Sequence, residues 1–372
     1  MTKKRRFGKK NVIKVDPLAY NIGLIGESGI GKTTTLVEMC NKLVGEDGYI
    51  LLSLGKEDAI DAIAGAMYEE VPDWETFEEI ADDIIENKEE DYKDLKVLVY
   101  DTMDQLFDIA EPQVIKMHNR LNPDKKVRTI NSAFGGFGRG EDKVIEIILE
   151  KIWELKKVGV GMIVVGHTKR KTLTDIATGE DYEMLTTNMT NKYFNAIKTK
   201  LHILGVASID RTIEYQKVKQ LIGDDKSIGK IKDESRVITF RDNNFNIDSK
   251  SRFADIVPRI DLDSNQLIKA INDAIEAEHN KQAGVKSIAE TKIEQEKERE
   301  EMVSEAVKEA HDSNIDEEKN AELVQEILEK LNSVSGEEKQ KVIDYALENK
   351  ISLKEYNDTP TAKYKELLEQ FN

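Results

Sequence analysis

Gly26-Glu27-Ser28-Gly29-Ile30-Gly31-Lys32-Thr33 is the stretch on which the reading of this chain turns. It follows an apolar run at 20–25 that reads as a buried strand, and it opens into 34–43, which reads as a helix. The spacing G-x-x-x-x-G-K-[ST] in that context is that of a loop that cradles phosphate. Phosphate needs several inward-pointing backbone N–H groups, so Gly26, Gly29 and Gly31 are expected to supply backbone freedom where side chains would block its approach. Glu27, Ser28, Ile30 and Thr34 complete the expected cradle. Lys32 is expected to reach the outer phosphates, and the Thr33 hydroxyl to hold Mg²⁺ at the positive end of the helix. ATP and Mg²⁺ are therefore the expected ligands.

Working outward, 96–102 reads as a second buried strand that ends in Asp101. A carboxylate at such a strand tip is suited to hold the water shell of Mg²⁺ opposite the loop. A strand at 48–54 lies between the two, with Lys56, Glu57 and Asp58 beyond its end. Another at 160–165 leads to His167, which is placed to sense a γ-phosphate. Strands alternating with helices predict an α/β fold, a P-loop core with a mostly parallel sheet flanked by helices.

The remainder divides by composition. The first 14 residues hold seven basic side chains and no acid, so 1–15 reads as a basic flexible arm. The core is expected over 16–282. Residues 71–94 suggest an acidic helix, 103–140 mostly loop and short helix, 142–157 an amphipathic helix and 169–189 a β-hairpin with a basic first arm. Strands are expected at 201–208, 211–218 and 236–241, and a helix from 263 to 280. Residues 286–372 carry 13 Lys+Arg against 23 Asp+Glu. Of these, 283–315 reads as an acidic linker or solvated helix, and 316–372 as a small three-helix module with apolar faces at helical spacing. The formal charge of −17 excludes a protein that coats nucleic acid with its whole surface. Nucleic-acid contacts are instead expected to be local. The candidates are Arg139, with Phe134 and Phe137 beside it in a glycine-rich segment, and Lys169, Arg170 and Lys171 on the hairpin. No run is long and apolar enough for a membrane span, and the start lacks the pattern of a signal peptide, which predicts a cytoplasmic protein. The single cysteine, Cys40, reads as a small core residue.

Thr102 follows Asp101 where AAA+ and transporter ATPases carry a glutamate, so the general base must come from elsewhere. Lys56-Glu57-Asp58-Ala59-Ile60-Asp61 resembles the corresponding segment of RecA-like ATPases, and Lys250-Ser251-Arg252 resembles the trans-acting K-x-R finger of DnaB-type helicases. Taken with the phosphate loop, Asp101 and His167, the chain over roughly 18–280 is similar to phage-encoded RecA-like ATPases of the recombination and single-strand annealing group. The resemblance implies Glu57 as catalytic base, Lys250 and Arg252 acting on a neighbour's γ-phosphate, a ring or filament of like subunits, single-stranded DNA as partner, and the host cytoplasm as location. A phage recombination or single-strand binding protein is the expected partner of the C-terminal module. A scaffold that binds nucleotide, recruits a partner through that module and turns over little is the competing expectation. A small-molecule kinase is a poorer third, because no arginine-rich lid segment stands out.

Overall fold

The computed structural model describes residues 11–55, 63–174, 178–218, 226–240, 250–281, 286–313, 317–334, 336–353 and 359–371. Its centre is a sheet of six parallel strands: β1 (Ile22–Gly26), β2 (Tyr49–Leu54), β3 (Tyr68–Val71), β4 (Val97–Asp101), β5 (Gly161–Thr174) and β7 (Ile203–Val218). They lie in the order β7-β1-β5-β4-β2-β3. All five residues of β1 and of β4 are buried, as parallel strands covered on both faces require. The β5 strand therefore stands between the loop strand and the acid-tipped strand. Antiparallel additions extend the rim. β6 (Asp181–Thr187) pairs with the outer half of β5, β8 (Lys226–Thr239) with β7, β9 (Lys250–Ser251) with the start of β7, and β10 (Arg259–Asp261) with β8.

Helices cover both faces. On one side α1 (Lys32–Val44) and α6 (Ser264–Asn280) bury Leu36, Val37, Met39, Leu267, Ile271 and Ile275 against the sheet. Cys40 belongs to this layer, fully buried as expected, and burial pushes its thiol up to about 12. On the other side lie α2 (Trp74–Glu86), α3 (Met103–Leu121), α4 (Arg139–Lys157) and α5 (Asn191–Lys198). Asp73 caps α2 by accepting from Thr76 N.

Three expectations change. The region 103–140, read as mostly loop, contains the 19-residue helix α3. Pro112 within it disguised a core-facing row of Leu106, Phe107, Ala110, Val114 and His118 at helical spacing. The two strands expected at 201–208 and 211–218 are one continuous strand, β7. The acidic stretch read as a linker or solvated helix is α7 (Ile288–Ser313), and it is docked on the core: Val307 is 3% exposed, and Val303, Ala306 and Ala310 pack beside it. Arg299 donates to Gly159 O at 3.0 Å, Glu296 pairs with Lys96 at 3.0 Å, and Gln295 bonds both Val15 N and Ile13 O. The four apolar residues that pack on the core are confined to the second half of this 26-residue helix, which gives a weak periodic signal.

Beyond it, α8 (Glu317–Ser333), α9 (Gly336–Glu348) and α10 (Thr361–Glu369) gather Val324, Ile327, Leu331, Val342, Ala346, Tyr364 and Leu367 into a cluster of their own. Leu328 and Leu347, which the helical spacing of apolar residues in 316–372 would also place inside, are 45% and 71% exposed. Among the described residues, no helix is long and apolar enough to cross a membrane.

Candidate functional site

The C-terminal ends of β1, β5 and β4 form one edge, and the phosphate loop rises from it. Gly29 and Gly31 have φ of 72° and 108°, the left-handed region that glycine alone enters easily, and nothing lies within 4 Å of where a Gly29 Cβ would stand. Gly26 has another reason. A Cβ there would come within 2.6 Å of Ala207 O on β7, so this glycine permits close strand packing.

α1 starts from Gly31 with no side-chain cap and no acid in its first turn. The positive end of the helix therefore meets the loop with no side-chain cap and no nearby acid on its own turn, which suits an anion site. Lys32 is 5% exposed, and its Nζ donates to Gly26 O at 3.1 Å and Glu27 O at 2.9 Å. These bonds hold the ammonium within the loop. Ile30 is buried beneath the loop, and Thr34 is exposed at the helix start.

The Thr33 hydroxyl donates to Asp101 Oδ2 at 2.9 Å, so the two expected magnesium-side groups meet across β5. Beside them Thr102 Oγ1 and Asp104 Oδ1 are buried with no well-formed hydrogen bond among the described residues beyond the contact of Thr102 with the Asp104 carboxyl, and the water shell of a bound cation would complete such oxygens. No cluster of three or more His, Cys, Asp or Glu that could hold a metal occurs among the described residues. A cation here would complete its shell with phosphate oxygens and water, as Mg²⁺ does. The residues present fit Mg²⁺–ATP. The bound ion would polarise and neutralise the outer phosphates.

His167 stands opposite Gly26 in the β1–β5 register. Its Nδ1 lies 3.3 Å from Asp104 Oδ2 in the first turn of α3, a partner that no motif announced. Burial is the largest influence on the Asp104 carboxyl and works against its charge, but the hydrogen bonds from His167 and Thr102 and the charge of His167 together outweigh it and hold the carboxyl below its ordinary range. A second unannounced residue enters from the other flank. Arg236 on β8 donates from Nη1 to Ile30 O at 3.1 Å, and 206 residues of chain separate the pair.

Glu57 and its neighbours at 56–62 lie outside the described residues. The strand that leads to them pairs Ser53 with Asp101, so the chain leaves the sheet beside the acid-tipped strand. On the hairpin, Lys169 and Lys171 are exposed, and Arg170 donates to Glu27 of the loop at 3.1 Å. The two aromatics of the glycine-rich segment part company. Phe134 packs edge-on against His118 at 5.2 Å, whereas Phe137 is fully exposed at 102%. Arg139 starts α4 and folds back over Gly135. Lys192 joins this loop to α5 by donating to Gly138 O at 2.6 Å, and Asn188 N donates to His167 O. The glycine loop and the hairpin base therefore flank the same edge as the phosphate loop.

Lys250 and Arg252 sit elsewhere. β9 pairs with Ile203 and Leu204, at the start of the stretch of β7 that pairs with β1, whereas Ala207, the partner of Gly26, ends that stretch. Lys250 Nζ donates to Lys198 O at 2.7 Å and Arg252 Nη2 to Thr199 O at 3.0 Å, which satisfies the last carbonyls of α5.

A strand, phosphate loop and helix, with an acid at a strand tip one strand removed, define a P-loop nucleotide-binding protein of the α/β class. More narrowly, a family model described as AAA domain (AAA_24) matches residues 18–253, and the chain belongs to that family of P-loop ATPases. No curated protein matches the sequence. Among solved structures, it is similar to a prototypical ATPase from the type III secretion system of pathogenic bacteria. That likeness has 16% identity and a TM-score of 0.31, covering 52% of this chain and 53% of the other, about half its length.

Proposed function

We propose that this chain binds ATP with Mg²⁺ and hydrolyses it as a RecA-like protein acting on single-stranded DNA, in phage recombination or replication and as a homo-oligomer. The observation that carries the nucleotide part is the uncapped start of α1 with Lys32 inside the loop and Thr33 hydrogen-bonded to Asp101. Glu57 is the general base in this reading, supported by the exit of β2 beside Asp101. It would take a proton from the attacking water, while Lys32 and the loop amides stabilise charge on the phosphates. His167, oriented by Asp104, reports the γ-phosphate to the hairpin that continues from β5.

The DNA part rests on the exposed Phe137, Arg139 and the basic hairpin residues Lys169, Arg170 and Lys171, which share the nucleotide edge. The Arg170–Glu27 pair supplies a route by which the loop and the hairpin sense one another. The separate core of α8–α10 supports a docking module for a recombination or single-strand binding protein.

The test is ATP turnover by the full chain with and without oligothymidylate. Turnover that rises with oligonucleotide is expected. Tight nucleotide binding with no turnover in either condition would favour the scaffold reading.

A further inference from the structure

The opposite edge of the sheet, where the parallel strands begin, collects positive charge in a chain whose formal charge is −17. Tyr20 OH donates to Lys14 O at 2.8 Å, and Asn21, next in the chain, reaches Lys200 O with its side chain at 3.0 Å. Asn21 N also donates to Nδ1 of His202, whose carbonyl accepts from Arg252 N at 2.9 Å. Lys250 is held one strand away on the α5 carbonyls, and Lys156 ends α4 within the electrostatic reach of Lys14 and Arg252.

None of Lys14, Lys156, Lys200, Lys250 and Arg252 forms an ion pair with a carboxylate among the described residues. Glu278, whose charge reaches Tyr20, is engaged with Lys281 at 2.9 Å. The crowding has a cost. After desolvation, it is neighbouring cations that lower the affinity of Lys156 and Lys250 for their protons.

Complementing helix ends accounts for Lys156 on α4 and for Lys200, Lys250 and Arg252 about the end of α5, but not for Lys14 beside them. Trp153 adds a second kind of group. It lies one turn before Lys156 on α4 and is 59% exposed, whereas the other tryptophan, Trp74, is 3% exposed. Cations that follow a backbone beside an exposed aromatic plane are the parts of a single-strand track. In the sequence, six further basic side chains precede Lys14.

We propose that this edge, through Lys14, Lys156, Lys200, Lys250, Arg252 and Trp153, is a second track for single-stranded nucleic acid, with phosphates on the cations and a base on the indole. The choice of nucleic acid rests on the proposed function above. The site itself is distinct from the hairpin edge.

Fluorescently labelled oligothymidylate is titrated into the full chain at several salt concentrations. Two side chains that make no hydrogen bond or ion pair among the described residues are changed together, Lys156→Glu with Lys200→Glu, and Lys156→Gln with Lys200→Gln serves as a milder pair. Affinity should fall at least about 10-fold, and the slope of log K against log salt should shrink by roughly 1 to 2. Trp153→Ala should weaken binding by roughly 5- to 100-fold. Oligonucleotide should quench Trp153 fluorescence in the wild-type chain. Wild-type binding that both double variants and Trp153→Ala leave unchanged would overturn the track and leave the DNA reading standing. No binding by the wild type would remove both. Double variants that keep oligothymidylate affinity and quenching but lose turnover and subunit association would assign these cations to a neighbour's nucleotide instead.

Discussion

The two edges of one sheet are built on opposite plans. At the C-terminal edge the ligand groups come chiefly from backbone: the loop amides, the start of α1 and two carbonyls that hold Lys32. At the other edge the groups are side chains from distant parts of the sequence, brought together by residues such as Asn21 and by α7, whose Gln295 and Arg299 fasten residues 13, 15 and 159. A backbone site needs a particular local conformation and so leaves a local motif. A side-chain site needs only proximity, which any spacing in the sequence can supply.

The sharpest way to break the comparison is at the backbone edge. Lys32→Ala leaves every loop amide in place and removes the one buried charge among them, so ATP turnover should fall by roughly 10²- to 10³-fold with the fold intact by circular dichroism. Wild-type turnover would mean that the loop does not hold the reacting phosphates. Glu57→Gln should bind ATP normally and hydrolyse it about 10²-fold more slowly. If Asp58→Asn produced that loss and Glu57→Gln did not, the base is the neighbouring residue.

At the side-chain edge the expected effects are on stability. A chain ending at Ser313 keeps α7 and should unfold near the full-length denaturant midpoint. One ending at Lys281 loses the packing of Val303 and Val307 and should be less stable by roughly 2–4 kcal/mol. Equal midpoints would show that α7 does not brace the core.

The smallest effect is at His202. Its pKa is lowered to about 4, by burial first and then by Arg252, Lys156, Lys250 and Lys14. Between about 4 and the ordinary 6.5, the unfolded chain takes up a proton that the folded chain refuses. The contribution of His202 is therefore fully present above 6.5 and is lost as pH falls towards 4. Urea unfolding across that window should show a slope that His202→Asn flattens. Covering the patch with polyanion should raise the His202 midpoint, read by its NMR titration.

The sequence by itself determined the nucleotide edge. Glycines at fixed spacing, a lysine and a threonine at a helix start, and an acid closing an apolar run each state a local conformation, and Thr33 meets Asp101 at 2.9 Å as that pattern requires. Five of the six parallel strands and the hairpin were legible for the same reason, since burial on two faces and alternation on one write different patterns, whereas β3, exposed at three of its four positions, writes neither. Only the tertiary structure decided that Asp104 orients His167, that Arg236 reaches the loop from β8, and that α7 is part of the core. It also decided that Lys250 and Arg252 lie with Lys14, Lys156 and Lys200 at the far edge. These are contacts between residues up to hundreds apart. Their energies depend on distance in space, which no local pattern of side chains encodes.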